Sequence, residues 1–163
     1  MAGCVLPCPY YKRHVFRIIA SVFGIGYVKG GGTAAAIVCC LVLYLTRFSG
    51  VSRCLLPAAL LTVGLLAAGT LAAQQVEPRW GKDNYRVVID ELAGMWISML
   101  FIPLTGIHLL AGLVLFRFFD IVKPFYIRHM EKLPGGVGVM MDDVLAGIYA
   151  NILLQVAIKI NLF

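Results

Sequence analysis

The chain has 163 residues, a formal net charge of +6 and a mean hydropathy of +0.90. Hydrophobic residues make up 61% and charged residues only 13%, against about 45–50% and about 25% in soluble domains. This balance excludes a disordered tail and an ordinary soluble domain, and the length excludes two domains; in so apolar a chain the positive charge points to loop orientation and anionic lipid headgroups, not to nucleic acid.

Residues 14–28, "HVFRIIASVFGIGYV", are short for a span and carry Arg17, so they predict an interfacial or re-entrant helix. No charged and apolar leader precedes Ala2-Gly3-Cys4, which predicts neither a lipoprotein signal nor a cleavable signal peptide. Residues 30–48 and 54–73 are each apolar and long enough to cross a bilayer, with a tight "SGVSR" loop between them. Residues 74–86 read as a polar loop. Residues 87–102 and 106–122 follow as two further spans, turning at Pro103-Leu104-Thr105. Residues 123–141 form a second polar loop, and 142–160 the last span. The expected fold is an all-α polytopic membrane protein of about five transmembrane helices, or four, forming one membrane-embedded domain over residues 1–163.

Cys4, Cys8, Cys39, Cys40 and Cys54 form no Cys-x-x-Cys pair, so they read as small apolar side chains. His14, His108 and His129 show no ligand spacing, and Trp80, Trp96 and Tyr126 suit an aromatic belt. With the N-terminus and loops 74–86 and 123–141 on one side, that side holds eleven of the 14 Lys and Arg. It is therefore expected in the cytoplasm.

The acids are few and gathered. Asp90 and Glu91 open the third expected span, Asp120 closes the fourth, and Asp142 and Asp143 open the fifth. All five fall on the cytoplasmic side. Carboxylates at one depth repel each other, and Mg²⁺ with its preference for oxygen ligands would hold them together. Helix capping would account for Asp90 or Asp142 singly. It does not account for two adjacent acids at each of two span starts, nor for Asp120 where the helix dipole opposes it.

Arg117 lies three residues before Asp120, on the same helix face. Arg117, Lys123 and Arg128 are candidates to grip a phosphate, as are Thr33 in "KGGGT" and Gly135 and Gly136 in "GGVGVMMDD". Asp143, Gly147 and Asn151 form an i, i+4, i+8 stripe beside Ala146 and Ala150, and Glu91, Gly94, Met95 and Ser98 form a similar face. Small residues let helices approach closely in lipid, so the acids should sit above a tight helix seam. There is no Cys-x5-Arg and no Gly-x-Ser-x-Gly elbow, which disfavours thiol and serine nucleophiles.

The segments "VVIDELAGMWISM" (87–99), "FRFFDIVKPFYIR" (116–128) and "GGVGVMMDDVLAG" (135–147) resemble the bacterial phosphatidylglycerophosphatase A family in order and spacing. "GIGYVKGGGT" (24–33) resembles that family's N-terminal glycine loop, without its usual Ala-Pro before Gly-Thr and Gly-Ser after it. The resemblance implies a Mg²⁺-dependent phosphatase of the bacterial inner membrane, its active site facing the cytoplasm. It would convert phosphatidylglycerophosphate to phosphatidylglycerol and phosphate. Asp90, Glu91, Asp120, Asp142 and Asp143 are then expected to share metal binding and catalysis by metal-assisted attack of water on phosphorus. A small membrane transporter and a non-catalytic scaffold for lipid enzymes are the competing classes. Oligomeric state is not set by the sequence.

Overall fold

The computed structural model describes residues 10–47, 49–82, 84–124, 126–130 and 133–162. Asp83, Lys132, Cys4 and Cys8 lie outside the described residues. Among the described residues every element is helical. They are α1 (Tyr10–Ala20), α2 (Gly31–Leu45), α3 (Leu55–Trp80), α4 (Ile89–Ser98), α5 (Gly106–Val122), α6 (Ile127–Met130) and α7 (Gly135–Lys159), with a 3-10 turn at Ile25–Tyr27.

The N-terminal segment is a helix followed by a sharp reversal. After α1, Val22, Phe23 and Gly24 all take positive φ, and Ser21 closes the turn by accepting the Gly24 N–H at 3.1 Å. The loop before α4 is tied to this end by Val88 N–H to Ala20 C=O, 2.9 Å.

Three boundaries depart from the sequence expectation. The stretch 74–86 is not all loop, because α3 runs on to Trp80 and stops at Gly81, φ 87°. Gln74, Gln75, Glu77 and Arg79 are polar but good helix formers, so polarity there marks a change of surroundings, not of backbone. The expected span 87–102 holds a helix of only ten residues, α4. At about 1.5 Å per residue it covers about half of a 30 Å hydrocarbon core. The last helix starts at Gly135, seven residues before Asp142, so loop 123–141 is shorter than expected.

Among the described residues, α3 (26 residues) and α7 (25 residues) are long and apolar enough to cross a membrane. α2 is a shorter apolar helix of 15 residues.

α7 is the hub, packed against α3, α4, α5 and α6. α4 is wrapped on most sides, with Ile89, Asp90 and every residue from Ala93 to Ser98 buried. The expected small-residue seam joins these two helices. A Cβ on Gly147 would strike the Gly94 carbonyl, and one on Gly94 would come within 2.7 Å of the Asp143 carbonyl. Further along the seam, Asn151 Nδ2 donates to the carbonyls of Ser98 (3.0 Å) and Leu100 (2.9 Å). These belong to the end of α4, where helical partners run out. A buried carbonyl left without a donor costs about 1–3 kcal/mol, so Asn151 is what lets α4 stop inside the bundle.

Trp96 is not a belt residue. It is buried, and its Nε1–H donates to Thr62 Oγ1 at 2.9 Å. Cys39 packs in the core, as expected of an apolar thiol.

Candidate active site

The α4–α7 seam brings the acids together. Asp90 and Glu91 are in the first turn of α4, and Asp143 faces them from α7. One carboxylate oxygen from each lies within 4.8 Å of the others. Asp90 is 7% exposed and Asp143 3%. Asp90 Oδ1 accepts the Glu91 N–H at 3.0 Å, and the two carboxyl groups are within hydrogen-bonding reach of each other.

Asp120, in the last turn of α5, completes the group: its carboxyl is within hydrogen-bonding reach of Asp143 and close to Glu91. Arg117 Nη1 stands 2.6 Å from Asp120 Oδ2. Arg117 Nε is buried without a hydrogen-bond acceptor among the described residues. Asp142 is set apart by a 2.7 Å ion pair with Lys123. Asp142 and Asp143 are well inside α7, so helix-end capping does not explain them.

Packing this many carboxylates out of water is costly unless a positive charge joins them. One oxygen of the set, Glu91 Oε2, is buried and takes no hydrogen bond from any described residue. Three hard oxygen donors at short range with an unsatisfied buried oxygen fit a divalent metal ion. Asp90, Glu91 and Asp143 are therefore the residues that could hold one.

Beside the carboxylates lies an open groove of about 540 Å³. Glu91 and Arg117 line it. Lys29, Thr33 and the glycines between them, at the start of α2, line it as well, as do Tyr27 and Tyr85. Gly30 enters α2 with φ 81°, and a Cβ on Gly32 would collide with the Glu91 carboxylate. The glycine run thus brings the amide-bearing end of a 15-residue helix onto the site.

The phosphate-grip candidates are placed unequally. Arg117 and Thr33 line the groove. Lys123 is bonded to Asp142, and Arg128 is exposed on α6. Gly136 is pressed against α3, where a Cβ would lie 2.7 Å from the Gln74 amide nitrogen, and Gly135 lies close to Glu77. The sequence reading passed over Lys29, Tyr27 and Tyr85. The glycine run beside Lys29 was the available signal; nothing in the spacing could bring Tyr85 across to it.

The profile of the phosphatidylglycerophosphatase A family matches residues 18–158 of this chain. The chain belongs to the phosphatidylglycerophosphatase A family. As a member it is a lipid phosphatase.

A Bacteroides thetaiotaomicron protein, named provisionally as a phosphatidylinositol-3-phosphatase, is 43% identical over 145 residues, 86% of this chain and 91% of its own length. The Haemophilus influenzae phosphatidylglycerophosphatase A is 53% identical over 72 residues, 43% of this chain and 44% of that protein. The Escherichia coli K12 phosphatidylglycerophosphatase A is 34% identical over 88 residues, 53% of this chain and 51% of that protein. No solved structure matches the chain.

Proposed function

We propose that the protein hydrolyses the terminal phosphomonoester of phosphatidylglycerophosphate, yielding phosphatidylglycerol and phosphate, at the cytoplasmic face of a bacterial inner membrane. The observation that carries this reading is the convergence of Asp90, Asp143 and Asp120 on Glu91 and Arg117, which line one groove, in a chain of this family.

The membrane setting is supported by the surface. Leu55, Leu56, Leu60 and Val63 on α3 are 66–74% exposed, as are Leu45 on α2 and Ile121 on α5 at 68% and 71%. Water does not tolerate so much contiguous apolar surface, but lipid covers it without cost. α3 and α7 cross the bilayer, and α2 and α5 complete the bundle around the buried α4. The count of five spans expected from sequence then includes α4 as a helix that ends part-way. The eleven-to-three division of basic residues sets the carboxylate end toward the cytoplasm.

Asp90, Glu91 and Asp143 would hold Mg²⁺, the divalent ion best suited to carboxylates and phosphate oxygens. Bound there, the ion supplies Lewis-acid stabilisation of the charge that develops on the phosphoryl oxygens. The chain's own groups do the rest. Arg117 turns its unpaired Nε–H to the phosphate, and Asp120, paired with Nη1, fixes the position of that guanidinium. Thr33 and the first amides of α2 receive the remaining phosphate oxygens. Asp120, the carboxylate of the group outside the metal triad and not committed to Lys123, takes the proton of the attacking water and returns it to the glycerol oxygen that leaves as its P–O bond breaks. Asp142 and Lys123 hold α7 to the end of α5 as an ion pair.

The Bacteroides relative, matched over most of its length, favours a second reading in which the substrate is phosphatidylinositol 3-phosphate. Both lipids carry a phosphomonoester on a polyol headgroup. The test is phosphate release by the purified protein from phosphatidylglycerophosphate, phosphatidylinositol 3-phosphate and phosphatidic acid in mixed micelles with Mg²⁺. Highest kcat/KM on phosphatidylglycerophosphate is expected. Preference for the inositol lipid would replace the first reading by the second, and hydrolysis of none would return the chain to the scaffold or transporter class.

A further inference from the structure

Arg86 is an unexplained cation beside the groove. It immediately precedes the buried Val87–Asp90 stretch, and its backbone is pinned from three directions. Its N–H donates to Asn84 Oδ1 at 3.2 Å, its carbonyl lies where a side chain on Gly26 would be, and Val88 is bonded to Ala20. Its guanidinium carbon lies 5.2 Å from the Tyr85 ring centre, 5.6 Å from that of Tyr27 and 6.0 Å from that of Trp80. Trp80 and Tyr27 are themselves in edge contact. Three rings therefore fix the guanidinium in place. Two of them, Tyr27 and Tyr85, line the same groove as Glu91 and Arg117.

The aromatic faces hold the charge but do not neutralise it. Arg86 Nε is buried without a hydrogen-bond acceptor, and among the described residues no carboxylate pairs with it. A fixed, part-buried guanidinium with an unpaired Nε–H, held by two rings that line a binding groove, is a site for an anion. It cannot be the reacting phosphate, which belongs with Arg117 and the carboxylates. Lys29 adds a second positive charge to the groove wall.

Resting on the function proposed above, we propose that Arg86, with Tyr27, Tyr85 and Lys29, forms a second anion subsite that binds the inner phosphodiester of the substrate. The substrate class this selects is a lipid with two phosphates separated by a polyol, the outer one a monoester. Phosphatidylglycerophosphate and phosphatidylinositol 3-phosphate both meet that description. Phosphatidic acid does not, because its one phosphate is the monoester itself. Arg86 is then a specificity-determining residue, since it grips a part of the lipid that does not react. Binding energy from such a remote group separates substrates that share the same reacting phosphate.

The experiment measures kcat and KM of the full-length protein and its Arg86→Gln variant on the same three lipids in mixed micelles. Losing a charge-assisted contact weakens binding by about tenfold or more. The ratio of kcat/KM for each two-phosphate lipid over phosphatidic acid should therefore fall at least tenfold in Arg86→Gln, mainly through KM. A fall on only one of the two polyol lipids would keep the subsite and name its source. Equal losses on all three lipids, as from a merely structural residue, would overturn the proposal, and so would an unchanged ratio. Native protein that hydrolyses none of the lipids would instead strike down the underlying function.

Discussion

Asp143 touches both halves of the acidic group: the α4 pair Asp90 and Glu91 on one side, Asp120 on the other. Its neighbour Asp142 is equally acidic, yet spends its charge on Lys123 at 2.7 Å. Adjacent, chemically identical side chains thus have different duties, and one substitution should separate them. Asparagine keeps the shape and removes the charge. Asp143→Asn should leave a folded protein with at least a hundredfold lower turnover, because a preorganised electrostatic partner is worth about 10²–10³ in rate. Asp142→Asn should retain much more turnover but lose thermal stability, about 1 kcal/mol, because Lys123 exchanges a charge-assisted contact for a neutral one. Equal turnover in the two variants, at matched amounts of folded protein, would remove this division of labour.

The elements converge because glycines allow it. Gly147 and Gly94 put the backbones of α7 and α4 in contact directly beneath the carboxylates. Gly147→Ala must push α4 away from Gly94, and with it Asp90 and Glu91. Overpacking of this kind costs about 1–3 kcal/mol, and here the displacement falls on the site. We expect a clear loss of both melting temperature and turnover. Gly112→Ala is the control: its Cβ would meet the Met99 sulfur at 2.5 Å, the end of a flexible side chain that can give. It should cost less and spare turnover. Comparable inactivation by both alanines would show that general packing, not the seam, sets activity.

This seam was legible in the sequence, as the Asp143–Gly147–Asn151 stripe, because helical spacing alone puts those residues on one face. The ends of the helices were not. Nothing local reveals that α4 stops after ten residues, since its stop depends on Asn151, more than fifty positions away. Nor does composition reveal that polar Gln74–Trp80 stays helical. Likewise the five acids could be grouped by depth, but their division into a triad, an Arg117 pair and a Lys123 pair needs the tertiary contacts of α5 and α7.

At the scale of the whole molecule, orientation and chemistry are linked, because the basic loops and the carboxylates share one end. In a cysteine-free background, Ser49→Cys should react with an impermeant thiol reagent added to intact cells, and Arg128→Cys should not. Reaction at position 128 from outside would reverse the orientation and move the site to the outer face. On the function proposed, the buried acids work as a cation site on a lipid phosphomonoester. This is tested most directly by phosphate release from phosphatidylglycerophosphate in EDTA, followed by restoration of Mg²⁺. No turnover is expected in EDTA, with full recovery once the ion is restored. Undiminished turnover in EDTA would contradict it.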